Sequence, residues 1–153
     1  MRDKNIPDKS LFNHRIEQQV KFHEVDLLGV CNNAVYFNYF EDARLDYVTF
    51  LKEKYNLPMF EEENFFIMVH NHCDYFQSAH LNDKLIIRTR LSFVKKSSFG
   101  FEHIVELKNT GEIIAKGGGV VVHYHKTLKK AIPLPEEFYS AAKDFEKEVS
   151  ILF

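Results

Sequence analysis

The sequence predicts an α+β fold in which a curved, mostly antiparallel sheet wraps around one long helix. From Ala34 to about Tyr55, apolar and aromatic residues recur at helical spacing and cover most sides of the segment, which is typical of a buried helix. Four strand-like stretches then follow one another through short turns, and this order favours antiparallel pairing. Because a helix that is apolar on most sides cannot bury itself against a flat sheet, we expect the sheet to curl.

Length and composition predict one globular domain. The chain has 153 residues and a net charge of -2, so it has no broad basic field for nucleic acid. Residues 1–14 are predicted to be a flexible lead-in and residues 15–153 the domain. The first twenty residues contain no apolar signal segment, and no apolar run reaches the roughly 20 residues that a membrane span needs. Cys31 and Cys73 are expected to be reduced thiols, and the protein is expected to be cytoplasmic.

The elements are predicted in order from their hydrophobic periodicity. "RIEQQVKFH" (15–23) alternates as a strand does, and the apolar helix follows it. The four later strands are predicted at about 65–76, 84–94, 99–108 and 112–125. An amphipathic helix begins near Pro135, with Glu136 and Glu137 in its first turn.

The segment "HEVDLLGVCNNA" before the long helix concentrates residues with chemical potential. Asn32 or Asn33 is a good N-cap, and the free N–H groups of a first helical turn can hold a developing negative oxygen. Gly29 allows a tight turn and close approach of a ligand, and Asp26 supplies a carboxylate beside it. A carboxylate beside N–H groups that can hold a developing negative oxygen suits acyl transfer. The alternative is that Asp26 only caps a turn and Asn33 only begins a helix.

The longer stretch "VKFHEVDLLGVCNNAVYFNYFEDARLDYV" resembles the motif of the hotdog-fold acyl-CoA thioesterases, particularly the 4-hydroxybenzoyl-CoA thioesterase-like group. The resemblance covers about residues 15 to 140. It implies a hotdog fold and hydrolysis of an acyl-CoA to acid and free CoA, without a metal or redox cofactor. CoA is not counted as a cofactor here because it is part of the substrate. The matching elements are Asp26, Gly29, Asn33, Tyr36, and Glu41 with Arg44.

The resemblance also implies roles for individual residues. Asp26 would act as nucleophile or as general base for water, and the backbone N–H of Asn33 would polarise the thioester carbonyl. Some relatives carry histidine where this chain has Val30 or Asn33, so Asp26 would do the proton chemistry itself and the acyl class stays open. The substrate-binding residues predicted in this way are Gly29, Val30, Asn32, Tyr36, Lys95, Lys96 and Ser97.

Lys95 and Lys96 lie in "FVKKSSFGF" (93–101), where the family places basic residues near the CoA phosphates. Arg88 and Arg90 are candidates to extend that patch, since they point away from the apolar face of their strand. The alternative is a solvated hairpin with ordinary surface charge.

Other motifs predict structure rather than chemistry. "HNH" (70–72) and "HYH" (123–125) lack further metal ligands, so no metal site is expected. "KGGGV" (116–120) lacks the spacing of a phosphate-binding loop and predicts a bulge, a bend or close backbone contact within a strand. Cys31 has no local histidine partner and is not expected to be a nucleophile.

Two other activities stay open at this point, a thioesterase acting on acyl carrier protein and a binder of acyl thioesters without hydrolysis. The expected substrate is acyl-CoA, with acyl carrier protein as the alternative carrier and no nucleic-acid partner. A homodimer or homotetramer is expected, because a single small sheet would leave edge strands open.

Overall fold

The computed structural model describes residues 5–59 and 61–153, and it has the predicted α+β architecture. The strands are paired in the order β1-β3-β4-β5-β2, all antiparallel, with β6 beside β5 and β7 parallel to the end of β3. Helix α1 contacts β1, β2 and β3, so the sheet curls around it. The elements are β1 His14–Gln19, α1 Val35–Tyr55, β2 Asn64–Tyr75, β3 Lys84–Val94, β4 Ser98–Leu107, β5 Ile113–His125, β6 Lys130–Ala131, α2 Glu136–Phe145 and β7 Ser150–Ile151.

The predicted alternation of β3 and β4 is confirmed. One face of β3, formed by Leu85, Ile87, Thr89 and Leu91, is fully buried. Each of the four long strands begins and ends within one residue of its predicted position. Periodicity located β3 and β4 well because the buried face of each strand differs in polarity from its outer face.

The three glycines of β5 lie in close contact with neighbouring backbone, as the sequence predicts for glycines within a strand, and Gly117 also allows α1 to approach the sheet. A Cβ atom on Gly117 would lie 2.5 Å from Cε2 of Phe40 and 2.5 Å from the carbonyl oxygen of His72. Phe40 is fully buried and stacks on the ring of His103, with 4.5 Å between the ring centroids. Glycine is therefore required here for packing between helix and sheet.

The first strand and the lead-in differ from the prediction. β1 ends at Gln19, and Phe22–Glu24 form a short 3-10 helix because the Glu24 side chain accepts a hydrogen bond from the backbone N–H of Lys21, at 2.9 Å. The described part of the lead-in contains another 3-10 helix, at Lys9–Leu11, and the buried side chain of Phe12. Packed structure therefore begins before residue 15. Residues 1–4 lie outside the described residues.

β2 forms one edge of the sheet, with β5 on one side. Its exposed side chains include the apolar residues Phe65, Met68 and Val69. A long apolar edge strand is prone to pair with a further strand. Among the residues that the structure describes, no helix is both long enough and apolar enough to cross a membrane.

Candidate active site

The segment between β1 and α1 folds into a tight turn around Asp26. The Asp26 N–H donates to the carbonyl of Val30 at 2.9 Å, and the Gly29 N–H donates to the carbonyl of Asp26 at 3.0 Å. Gly29 has φ of +75°, a left-handed conformation that favours glycine. Single-residue bridges pair Val25 with Cys31 and Val30 with His80, so the turn is fixed to the loop before β3.

The two carboxylate oxygens of Asp26 have different surroundings. Oδ1 accepts hydrogen bonds from the backbone N–H groups of Leu28, at 2.8 Å, and Val30, at 3.4 Å. Oδ2 accepts no hydrogen bond from any of the described residues, and Asp26 is exposed. The side chain thus caps its own turn, as the structural interpretation predicts, and still keeps one oxygen free for chemistry.

The helix begins one residue later than predicted, and neither asparagine is its N-cap residue. The N-cap is Ala34, which has helical backbone angles and no side-chain cap. Asn32 instead closes the turn before the helix: its Oδ1 accepts from the Ala34 N–H at 3.0 Å, and its carbonyl accepts from the Val35 N–H at 3.0 Å. Within the described part of the chain, the Asn33 N–H has no hydrogen-bond partner. The expectation that Asn32 or Asn33 is the N-cap is therefore wrong, and the role of the Asn33 N–H as a donor to substrate stays a prediction.

Asp26 and Asn33 line the same cleft, which has a volume of about 490 Å³. Val30 and Tyr36 also line it, so the structure brings together four of the residues predicted for the site, with Gly29 and Asn32 adjacent in the same loop. The sequence did not predict the opposite wall of the cleft, which residues 75–78 form at the end of β2. No local pattern links this segment to the Asp26 loop. The remaining lining residues are Cys31, Tyr75, Phe76, Gln77 and Ser78.

The ionisable side chains of the cleft differ in the protonation state that their surroundings favour. Burial raises the pKa of the Tyr36 and Tyr75 hydroxyls above the ordinary value, so both phenols stay neutral and able to donate. Burial also raises the pKa of the Cys31 thiol, which disfavours the thiolate that a cysteine nucleophile needs. Among the described residues that line the cleft, Asp26 is the only carboxylate, and none is histidine.

Lys95, Lys96 and Ser97 form the turn between β3 and β4, at the opposite end of the sheet from the Asp26 cleft. The eleven residues of β3 separate the two regions, a length of roughly 30 Å along the strand. The carbonyl of Lys96 accepts hydrogen bonds from Tyr139 Oη and the Leu134 N–H, so α2 and the segment before it hold the turn. Both lysines are exposed. In a single copy of the chain, these residues do not share a cleft with Asp26, and their role in binding stays a prediction.

The suggestion that Arg88 and Arg90 extend the basic patch is wrong. Arg88 Nε lies 2.7 Å from Glu106 Oε1, and Arg90 Nη2 lies 2.7 Å from Glu102 Oε2. Both glutamates are on β4, and the strand register brings Glu102 opposite Arg90. The two arginine charges are therefore neutralised on the outer face of the sheet.

The two histidine motifs lie on neighbouring strands, β2 and β5. His123 is buried, and its Nδ1 lies 3.2 Å from the carbonyl oxygen of Pro133. Burial lowers the pKa of its ring, so the neutral imidazole is favoured. Across the described residues, no group of three or more histidine, cysteine, aspartate or glutamate side chains is arranged to hold a metal ion.

A curled antiparallel sheet wrapped around a long helix is the architecture of the hotdog fold. Residues 20–142 match the family model described as the thioesterase-like superfamily. The chain belongs to that superfamily, which places it among the thioester hydrolases.

Individual relatives agree with this assignment. The acyl-CoA thioesterase YbgC of Haemophilus influenzae is 30% identical over 80% of this chain and 89% of its own length. A thioesterase from Thermus thermophilus, solved in complex with coenzyme A and zinc, is 30% identical with a TM-score of 0.70, over 86% of this chain and 98% of that one. A thioesterase-superfamily structure from Jannaschia has a TM-score of 0.80 at 20% identity, over 91% of this chain and 86% of that one, and shows the same fold.

Proposed function

We propose that the protein hydrolyses acyl-CoA thioesters, with Asp26 as nucleophile or general base and the backbone N–H of Asn33 as donor to the carbonyl oxygen. The observation that carries this proposal is the shared cleft. One oxygen of Asp26 and the N–H of Asn33 are both without partners among the described residues and line the same cavity. A free carboxylate oxygen and a free donor are the two groups that attack on a thioester carbonyl requires.

The reaction can follow two courses with these groups. As general base, Asp26 accepts a proton from water while the water oxygen forms a bond to the carbonyl carbon; the C–S bond then breaks and the thiolate takes up a proton. As nucleophile, Asp26 forms an acyl anhydride with release of the thiolate, and water then hydrolyses the anhydride. In both courses the carbonyl oxygen gains negative charge, which the Asn33 N–H stabilises. Both need only water besides the thioester, so we propose no metal or redox cofactor.

The proposed carrier is CoA. The name of the Haemophilus influenzae relative and the coenzyme A in the Thermus thermophilus structure support this choice. Lys95 and Lys96 are suitable contacts for its phosphates, because each presents an exposed ammonium group. They lie at the far end of the sheet from Asp26, so they can serve the Asp26 site only from a second copy of the chain. We therefore propose a homo-oligomer, a dimer or a tetramer, with a cytoplasmic location as expected from the sequence.

A panel of acyl-CoA and acyl carrier protein thioesters, differing in chain length and in aromatic or aliphatic acyl group, tests the function. We expect release of free CoA, measured with a thiol reagent, from at least one acyl-CoA. Cleavage of acyl carrier protein thioesters alone would favour the alternative carrier. Tight binding of acyl-CoA without release of thiol would favour a binding protein, in which the Asp26 side chain acts only as the cap of its turn.

A further inference from the structure

Tyr75, the last residue of β2, joins the opposite wall of the cleft to the start of α1. Its hydroxyl donates a hydrogen bond to the carbonyl oxygen of Asn33 at 2.6 Å. Its ring meets the ring of Tyr36 edge-to-face, with the centroids 5.1 Å apart and the planes at 87°. The residue whose N–H is proposed to face the substrate is thus held by a strand that lies more than forty residues away in the sequence.

The neighbouring groups at the start of the helix already have partners. The N–H groups of Ala34 and Val35 both donate to Asn32, one to its side chain and one to its carbonyl. Asn33 lies inside this turn, with its N–H free and its carbonyl bound to Tyr75. The Asn33 N–H lies in the peptide plane of the Asn32 carbonyl, which the Val35 N–H holds, and the Asn33 carbonyl lies in the next plane, which the Tyr75 hydroxyl holds. The two planes meet at the Asn33 Cα, so holding both restricts the backbone dihedrals of Asn33 and with them the direction of its N–H.

We propose that Tyr75 is a positioning residue, whose hydroxyl holds Asn33 so that its N–H points at the carbonyl oxygen of the thioester. This inference rests on the proposed function. A preorganised donor stabilises developing charge without reorganising during the reaction, and a small displacement of such a group is enough to slow catalysis. Burial raises the pKa of the Tyr75 hydroxyl, so the proton that it donates is retained at neutral and mildly alkaline pH.

The experiment must separate the hydroxyl from the ring, because the ring also packs against Tyr36. Tyr75→Phe removes the donor and retains the edge-to-face contact. Tyr55→Phe is the matched control: its hydroxyl donates to Asp144 Oδ2 at 2.7 Å, between the C-terminal end of α1 and α2. Both variants lose one tyrosine hydroxyl bond, and only Tyr75 bonds to the proposed donor residue.

With an acyl-CoA that the wild-type protein hydrolyses, we expect kcat of Tyr75→Phe to fall about tenfold, less than the loss expected for removing a donor outright. KM should stay within about twofold, since the donor acts mainly on the transition state. Hydrogen exchange at the Ala34 amide, which shares the peptide plane of the Asn33 carbonyl and donates to Asn32 Oδ1, should become faster than in wild type when measured by NMR. Tyr55→Phe should match wild type in all three measurements.

Two further variants keep the test decisive if Tyr75→Phe does not fold. Replacing Tyr75 with p-aminophenylalanine keeps an N–H donor at the end of the ring, whereas p-methylphenylalanine has the same size without a donor. We expect the first to retain most of kcat and the second to lose it. Equal kcat in this pair, an unchanged kcat in Tyr75→Phe, or a loss that appears only in KM would overturn the positioning role. The proposed function itself fails if the wild-type protein hydrolyses no acyl-CoA, a result obtained without any Tyr75 variant, so the two failures are distinguishable.

Discussion

At the residue scale, the two oxygens of Asp26 have different surroundings, which allows the side chain to cap its turn and also to serve the proposed chemistry. Oδ1 caps the turn through the N–H groups of Leu28 and Val30, and Oδ2 is left for substrate or water. The residue type and spacing predicted a turn cap or a catalytic carboxylate as alternatives, and the capping contacts are observed, whereas the catalytic role stays a proposal. Which oxygen is available depends on the direction of the backbone N–H groups, and only the folded turn defines that direction.

Asp26→Asn separates the two roles. Asparagine retains an oxygen that can accept the turn hydrogen bonds, so the free energy of unfolding should change by no more than about 1 kcal/mol. It cannot act as a carboxylate nucleophile or base, so kcat for acyl-CoA should fall on the order of 10²-fold or more. Steady-state kinetics and urea unfolding measure the two effects.

Asp83→Asn is the matched control for this change. Asp83 caps the neighbouring loop by accepting a hydrogen bond from the His80 N–H at 2.8 Å, and it does not line the cleft. We expect a similar small change in stability and near wild-type kcat. If Asp26→Asn folds and turns over at wild-type rate, Asp26 is only a turn cap and the proposed chemistry is wrong.

Lys95 and Lys96 are the residues whose role is most open to test. Lys95→Ala/Lys96→Ala should raise KM for acyl-CoA while kcat changes little, because phosphate contacts far from the scissile bond stabilise the ground and transition states about equally. Added salt should raise the wild-type KM towards that of the variant. The control is Lys52→Ala/Lys54→Ala, which removes two charges from the last turn of α1. An unchanged KM in the first variant would remove these lysines from the site.

At the element scale, the segment after α2 is tied to the sheet by a buried carboxylate. Glu146 Oε1 accepts hydrogen bonds from Tyr47 of α1 and from the backbone N–H of Leu91 of β3, the latter at 2.9 Å. Burial raises the pKa of Glu146 to about 6, although both hydrogen bonds and the charge of Arg90 act in the opposite direction. The carboxyl group therefore joins three elements and resists ionisation.

This pKa predicts a pH dependence of stability. Between the ordinary pKa of 4.5 and about 6, the folded protein binds more protons at this site than the unfolded chain does. The stabilising contribution is therefore present at low pH and is lost as the pH rises through this interval, by on the order of 2 kcal/mol. Glu146→Gln stays uncharged, so its stability relative to wild type should increase between about pH 4 and about pH 7.

Urea unfolding at both pH values measures this change. Burial lowers the pKa of His14 and His103 below the ordinary value, so these residues also make stability depend on pH, and their contribution cancels when variant and wild type are compared. Glu148→Gln, an exposed glutamate two residues later, should show no such relative change. A constant difference between Glu146→Gln and wild type at both pH values would contradict the assignment.

At the scale of the whole molecule, the two predicted halves of the site lie at opposite ends of the sheet. The Asp26 turn is bridged to His80, in the loop before β3. The turn that contains Lys95 and Lys96 follows Val94, the last residue of β3. Since roughly 30 Å of strand separates them, a site that uses both must combine two copies. The exposed apolar edge of β2 is a surface on which copies can pair.

Light scattering at micromolar concentration should therefore find a dimer or tetramer, and a monomer would contradict the proposed assembly. Mixing two defective variants provides a sharper test. Asp26→Asn and Lys95→Ala/Lys96→Ala, co-expressed with different tags, should form mixed dimers with one intact site. In a random mixture half of the dimers are mixed, and one of the two sites in each mixed dimer is intact. The mixture should then show about a quarter of the wild-type kcat at the wild-type KM, as expected for sites shared between copies. No recovery of a low-KM component would show that the copies do not share a site.

Much of this protein follows from its sequence alone. Periodicity predicted the long strands and the buried helix, because apolar residues recur at different spacings in a half-buried strand and in a buried helix. The segment from Asp26 to Asn33 likewise predicted a tight turn at Gly29. These features are local, since each depends on residues only a few positions apart.

Tertiary structure decided the features that join distant parts of the chain. Strand register pairs Arg88 and Arg90 with glutamates of β4, which the sequence left as free charges. The end of β2 brings Tyr75 to Asn33, and the length of β3 separates Asp26 from Lys95. No local repeat encodes these relations, because they depend on which strands pair, in which register, and on how far the sheet curls around the helix.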